Sequence, residues 1–211
     1  DVTLLNSYAL GNVSVDKTSG TGTTCAGGLV GRVVGTSNST TVKYIIQYCF
    51  AAGTVSAKSA VTGAVYSGGI VGQMNITGDN TGTLKNNAAV GTSVTAMGSG
   101  ASAATVGRIY GGITTQVTPS ANYARETMFL GTGAHTYNPY PVLTPVTATD
   151  NAADRDGSNR TSAQFTSTVT TSSGSWLSAS MLDFNNADHT GIWDFSSISR
   201  GYPKLANVGG Q

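Results

Sequence analysis

Four oxygen-bearing side chains fall close together, Asp150, Asp154, Asp156 and Asn159, and Asp154-Arg155-Asp156-Gly157 has the outline of a calcium loop. Such a loop needs glycine at its sixth position and oxygen ligands at its first and twelfth. With Gly157 sixth, Ala152 is first and Ala163 twelfth, and alanine has no side-chain oxygen. The segment reads as a polar turn. Glycosidic chemistry would instead need two carboxylates, or a base with a cation, converging on one bond. Asp16, Asp79 and Glu126 are far apart and sit in loop-like stretches, so solvated loop charges are expected. His135 and His189 have no set of further ligands at metal spacing. Cys25 and Cys49 are separated by a stretch of chain close to one turn of many β-solenoids. They read as structural residues of neighbouring coils, bonded in an oxidising compartment or buried as thiols. No nucleophile elbow, phosphate loop or dinucleotide fingerprint stands above chance in a chain with 28 glycines. No catalytic, cofactor-binding or metal residue is therefore assigned, and no cofactor is expected. Asn12, Asn38, Asn75 and Asn159 open Asn-x-Ser/Thr triplets, which carry meaning only in a eukaryotic secretory host.

What would position any such residue is a repeat. Ala26-Gly27-Gly28-Leu29-Val30-Gly31 returns as Ser67-Gly68-Gly69-Ile70-Val71-Gly72. A second phrase alternates with it, ending at Gly11, Gly53 and Gly91. Each of these glycines is followed by a short alternating stretch, such as Val13-Ser14-Val15 and Val55-Ser56-Ala57, the period-two signature of a half-buried strand. A fixed period of about 40 residues indicates a stacked repeat architecture. Two half-repeats per unit predict two coils of about 20 residues each, and about seven coils would make a rod about 35 Å long. The fold expected is all-β: a right-handed parallel β-helix (β-solenoid) with a C-terminal aromatic-rich cap. Residues 1–140 form the repeat region and residues 141–211 a capping segment on the same solenoid. The glycines are expected where the chain bends through positive φ or approaches a neighbouring coil. The stretches Asp16 to Thr24, Gly35 to Thr41 and Gly78 to Gly82 read as loops. A degraded third copy, Val106-Gly107-Arg108-Ile109-Tyr110-Gly111, matches Val30-Gly31-Arg32-Val33-Val34-Gly35, and Asn122-Tyr123-Ala124 begins a further one. Beyond Pro139, Pro141 and Pro145 the aromatic residues Phe165, Trp176, Phe184, Trp193, Phe195 and Tyr202 gather, and are expected to plug the open end of the stack.

Composition narrows the function. Only 10% of the 211 residues are charged and the net charge is +1, so Ser, Thr, Asn and Gly supply the polar surface, a secreted or surface-protein flavour. The seven basic residues before residue 150 are scattered, which speaks against a phosphate-tracking nucleic-acid groove. There is no apolar run of membrane-spanning length and no signal peptide at the start, as expected of a processed or excerpted chain.

The phrases Gly28-Leu29-Val30-Gly31 and Gly69-Ile70-Val71-Gly72, with Tyr8-Ala9-Leu10-Gly11-Asn12-Val13 and Phe50-Ala51-Ala52-Gly53-Thr54-Val55 between them, resemble the GLUG motif repeats of bacterial surface proteins. The ending Ile192-Trp193-Asp194-Phe195 through Gly201-Tyr202-Pro203-Lys204-Leu205 resembles the close of such regions in Bacteroidetes-type adhesins. The third copy departs from this pattern. The resemblance implies an extracellular or outer-surface adhesin-like module, and it supplies no catalytic residue to carry over. The reading is a non-enzymatic, monomeric module that binds glycans or host proteins through repeat faces and loops. The alternatives are a polysaccharide-processing β-helix enzyme and a structural spacer in a larger surface protein.

Overall fold

The computed structural model describes residues 1–36, 40–99, 103–135, 142–166, 193–194 and 202–205. The chain winds into stacked coils of short strands. The first coil holds β1 (Val2–Leu5), β2 (Tyr8–Ala9), β3 (Val13–Lys17), β4 (Thr24–Gly27) and β5 (Val30–Gly35). The second repeats the series as β6 (Lys43–Gln47), β7 (Phe50–Ala51), β8 (Val55–Ser59), β9 (Val65–Gly68) and β10 (Val71–Ile76). The third holds β11 (Thr81–Lys85), β12 (Ala88–Ala89), β13 (Ser93–Gly98), β14 (Ala104–Gly107) and β15 (Tyr110–Ile113). The fourth supplies β16 (Val117–Ser120), β17 (Tyr123–Arg125) and β18 (Phe129–Ala134). Like strands pair in parallel and build five walls: β1-β6-β11-β16, β2-β7-β12-β17, β3-β8-β13-β18, β4-β9-β14 and β5-β10-β15.

The molecule is thus a parallel β-solenoid, as the repeat predicted, but the coil is twice the expected length. Val2 lies beside Tyr44, Lys43 beside Thr81 and Gly82 beside Val117. One coil therefore takes the whole repeat unit, and the two alternating phrases are different corners of the same coil. The reason is that each phrase stacks only on its own kind: β2 pairs with β7, and β4 with β9. Four coils are separated by three steps of roughly 4.8 Å, about 14 Å in all, where seven coils and a much longer rod were expected.

Alternation decides which side chains enter the core. On β8, Val55, Ala57 and Ser59 are buried while Ser56 and Lys58 face outward. The register then stacks like on like: Val13, Val55, Val94 and Leu130 form one column, and Leu4, Ile46 and Leu84 another. Val55, Val94, Ile46 and Leu84 are all at most 3% exposed, and each such side chain contributes about 1.5–3 kcal/mol.

Two kinds of corner turn the chain. Between the first and second walls, Asn6, Tyr48, Asn86 and Ala121 all take left-handed backbone, with φ of 48°, 56°, 54° and 50°. Between the fourth and fifth walls the cause is close approach, since neither Gly28 nor Gly69 has a positive φ. A Cβ on Gly28 would strike the carbonyl oxygen of Gly69, and one on Gly69 that of Arg108. The third copy keeps this corner. Gly107 pairs with Gly68, so Gly107-Arg108-Ile109-Tyr110-Gly111 sits on Gly68 through Gly72, not in the shifted alignment to Val30 through Gly35. Arg108 thereby takes the place of the second glycine.

Of the expected loops, residues 18–23 are closed by Lys17 Nζ, which donates to the carbonyls of Thr21 and Gly22 at 2.6 and 2.8 Å. The flanking Asp16, Lys17 and Thr24 belong to strands. Beyond the fourth coil, β19 (Thr144–Pro145) runs antiparallel to β18, and β20 (Ser158–Arg160) adds in parallel to β17. The short helix α1 (Ser162–Thr166) follows, and β21 (Trp193–Asp194) pairs with β22 (Lys204–Leu205).

The described aromatic residues of the tail clad a flank of the solenoid rather than plug its end. Phe165 and Trp193 are buried against Phe50 and Tyr123, with Tyr8 and Tyr202 packed alongside. Trp193 lies 5.7 Å from Phe50 and 6.1 Å from Tyr8 between ring centroids, and its Nε1 donates to Asn6 Oδ1 at 3.3 Å. The cause is the outward column on the second wall, where Tyr8, Phe50, Ala88 and Tyr123 stack in register and present an apolar strip. Trp176, Phe184 and Phe195 lie outside the described residues. Among the described residues no helix is long and apolar enough to cross a membrane.

Candidate functional site

The densest polar constellation is built where the stack ends. Arg108 is fully buried because its side chain follows the line along which Gly28 and Gly69 meet the next coil. Its two guanidinium NH2 groups donate to Asn159 Oδ1 at 2.6 Å, Thr149 O at 2.6 Å, Gly157 O at 3.0 Å and Arg125 O at 3.3 Å. Burial pushes the Arg108 pKa down, and the charges of Asp156 and Asp150 oppose that.

Asp156, itself 1% exposed, replaces a strand. In the first two coils the backbone N–H of Gly28 donates to Gly68 O, and that of Gly69 to Gly107 O, each at 3.3 Å. At the third coil the Arg108 N–H donates to Asp156 Oδ1 at 3.1 Å. A carboxylate thus stands in for the missing carbonyl, while its Oδ2 accepts from Thr149 N–H at 3.0 Å and from the Thr149 hydroxyl at 3.2 Å. Asp150 Oδ1 accepts from Asn159 N–H at 2.8 Å, and Asp154 Oδ2, 3.0 Å from the Thr149 hydroxyl, shares that hydroxyl's single proton with Asp156. Tyr110, beside this group, has its phenol pushed up to about 12, chiefly by burial and then by the charge of Asp154. The four residues that outline a calcium loop in sequence therefore belong to a turn in which Asn159 and backbone carbonyls hold the two NH2 groups of Arg108, and Asp150 and Asp156 accept from backbone amides.

A second polar feature runs inside the corner between the first and second walls, at Ser7, Cys49, Asn87 and Asn122. Asn87 Oδ1 accepts from Cys49 N–H at 3.1 Å, and Asn87 Nδ2 donates to Ile46 O at 3.0 Å and to Asn122 Oδ1 at 3.1 Å. Asn122 Nδ2 donates in turn to Leu84 O at 2.8 Å. The left-handed residue before each position turns strand carbonyls away from the sheet, and the amides satisfy them. Cys49 fills the same place with a thiol 3.0 Å from Gln47 O. Its pKa is pushed up to about 11 by burial, against weaker opposing hydrogen bonds with the backbone at Ser7 and Gln47.

The other residues considered for chemistry are dispersed. Asp79 and Glu126 are exposed at different corners, and Asp16 lies on the third wall, 3.6 Å from His135 Nε2. His189 lies outside the described residues. Cys25 and Cys49 are both free thiols. Their separation along the chain is little more than half a coil, so Cys25 stands on the fourth wall and Cys49 at the corner between the first and second. Among the described residues no group of three or more His, Cys, Asp or Glu could hold a metal ion. A separate hollow of about 370 Å³ opens on the first coil, lined by Leu4, Val33, Ile46 and Met74 together with Arg32 and Tyr44.

Fold and polar architecture together define a parallel β-solenoid that closes itself at one end with a buried arginine. No protein-family model matches the chain, and no curated protein does. Among solved structures it is similar to a crystal structure from Bacteroides ovatus provisionally named an immunoglobulin A1 protease, with 19% identity and a TM-score of 0.56. The likeness covers 96% of this chain and 57% of that one, so the chain spans little more than half of that protein's length. At this identity the likeness is one of fold.

Proposed function

We propose that the chain is a non-catalytic, adhesin-like module of a secreted or outer-surface bacterial protein, built from GLUG-type repeats, that presents its outward walls and loops to a glycan or host protein. The observation that carries this reading is the engagement of the densest acidic cluster among the described residues: Asp150, Asp154 and Asp156 hold Thr149, Asn159 and the backbone of Arg108. Carboxylates held this way serve the scaffold and are not poised for proton transfer. The outward face of the third wall supports it too, with Ser14, Ser56 and Thr95 stacked in register and Thr95 Oγ1 donating to Ser56 Oγ at 3.1 Å across coils. A second reading, a scaffold within a larger protease, draws on the name of the similar Bacteroides ovatus structure. Here too the chain is non-catalytic.

The purified chain should be screened against arrayed glycans and host proteins, immunoglobulin A1 among them, and incubated with the same molecules to look for cleavage. Saturable binding without turnover is expected. Turnover of a glycan or protein that is lost on Asp79→Asn or Glu126→Gln substitution would overturn the proposal.

A further inference from the structure

We infer that the open face of the first coil is the seat of one more parallel coil of the same repeat, carried upstream on the same polypeptide. The observation is a pair of glycines with no reason to be glycine inside the described structure. At the corner after the second wall, a Cβ on Gly53 would strike the carbonyl of Gly11, and one on Gly91 that of Gly53. On the fifth wall, a Cβ on Gly72 would strike the carbonyl of Gly31, and one on Gly111 would come 2.6 Å from that of Gly72. Each glycine is required by the coil before it. Gly11 and Gly31 hold the equivalent places in the first coil, yet among the described residues nothing lies within 4 Å of a Cβ on Gly11, and on Gly31 the nearest atom is Cys25 O at 3.4 Å. Neither has a positive φ.

The same face is incomplete in other ways. Among the described residues β1, β3, β4 and β5 each pair on one side only. Leu4 and Val13 are half-buried where their column mates Ile46, Leu84, Val55 and Val94 are buried. The hollow of about 370 Å³ opens here, and Val2, Leu10 and Val34 are 56%, 53% and 48% exposed.

Geometry selects the occupant. Gly11 lies at the corner after the second wall and Gly31 on the fifth wall, so a single added strand reaches only one of them; a full coil reaches both. A two-fold related copy of this chain would bring slot against slot, because the carbonyls of Gly11 and Gly31 already face the second coil. The opposite end of a second copy is closed by residues 142–160. What fits is a coil with free carbonyls at both places. The register that sets Val2 beside Tyr44 and Gly82 beside Val117, carried one unit further back, puts that coil ahead of Asp1.

The test compares Gly11→Ala and Gly31→Ala in this chain and in the parent polypeptide with its upstream residues. In the chain alone both variants are expected to melt within about 2 °C of the unsubstituted protein, as surface changes do. In the longer polypeptide both should melt several degrees lower, and the amides of β1, β3 and β5 should gain at least tenfold hydrogen-exchange protection over the chain alone. Equal behaviour in the two contexts would overturn the inference. So would a dimer of the chain alone that Gly11→Ala dissociates, since that would make a second copy the occupant.

Discussion

Replacing Gly69 by alanine puts the inter-coil packing under direct strain. The new Cβ would strike the carbonyl oxygen of Arg108 and lie 2.8 Å from Ala89 Cβ. Neither group is a flexible side-chain end. The Arg108 carbonyl belongs to the corner of the next coil, where Gly69 N–H donates to Gly107 O and Ile70 N–H to Ile109 O. Relief therefore means lifting one coil from the other and lengthening those bonds. Overpacking a well-filled interior costs about 1–3 kcal/mol, and an unyielding backbone neighbour places Gly69→Ala near the top of that range. The gain from a stiffer unfolded chain, about 0.4–1 kcal/mol, offsets part of it, leaving about 2 kcal/mol. For a domain of this size each kcal/mol lowers Tm by roughly 2–4 °C, so a loss of about 4–8 °C is expected by circular dichroism or calorimetry. Gly11→Ala, with open space around the new methyl group, is the matched control and should change Tm little. A Gly69→Ala protein that melts with the parent, or a Gly11→Ala protein that falls as far, would refute the packing argument.

Three further outcomes follow from the polar interior. Asp156→Ala leaves the N–H groups of Arg108 and Thr149 without an acceptor and removes a charge that favours the buried Arg108 cation. It should cost about 2–4 kcal/mol in denaturant titration, and adding Arg108→Met should cost less than the sum of the single changes. Asn87→Leu strands Cys49 N–H and Ile46 O, and should lower stability by about 2–4 kcal/mol, each unsatisfied group contributing about 1–3. The third concerns alkaline pH. The folded Cys49 thiol titrates at about 11 against an ordinary 9.0, so both states hold the proton below about pH 9. Above it the unfolded thiol ionises first, and stability falls by roughly 2 kcal/mol by pH 11. Cys49→Ala should flatten that part of the pH profile, measured by urea midpoints from pH 8 to 11.

The sequence made the stacked parallel strands plain, because Gly28 and Gly69, or Val13 and Val55, recur at one spacing and stack in register. It hid the coil length because each of the first three coils carries two glycine-bearing corners, and only pairing shows that they never meet. The Asn87 and Asn122 ladder was harder to see, since its members change from serine to cysteine to asparagine while the role stays constant. The paired Asn86-Asn87 was the one local hint. Arg108 was visible as a departure from the glycine phrase, and the acids near residue 154 as a cluster. Nothing local joined Arg108 to Asp156, which meet only in the folded chain. The aromatic tail announced burial but not its location, because strands as short as Tyr8–Ala9 carry too brief an alternation to reveal which ring points outward.

The central claim is that one whole repeat unit makes one coil, and removal of a unit tests it most directly. Lys43 and Thr81 occupy the same place in successive coils. Deleting residues 43–80 should therefore bring β11 onto β1 in register and leave a solenoid that is shorter by one coil and unfolds in a single cooperative transition. Deleting only half a unit, 43–62, would set β9 where β6 belongs and should abolish that transition. A folded half-unit deletion beside an unfolded whole-unit deletion would contradict the account.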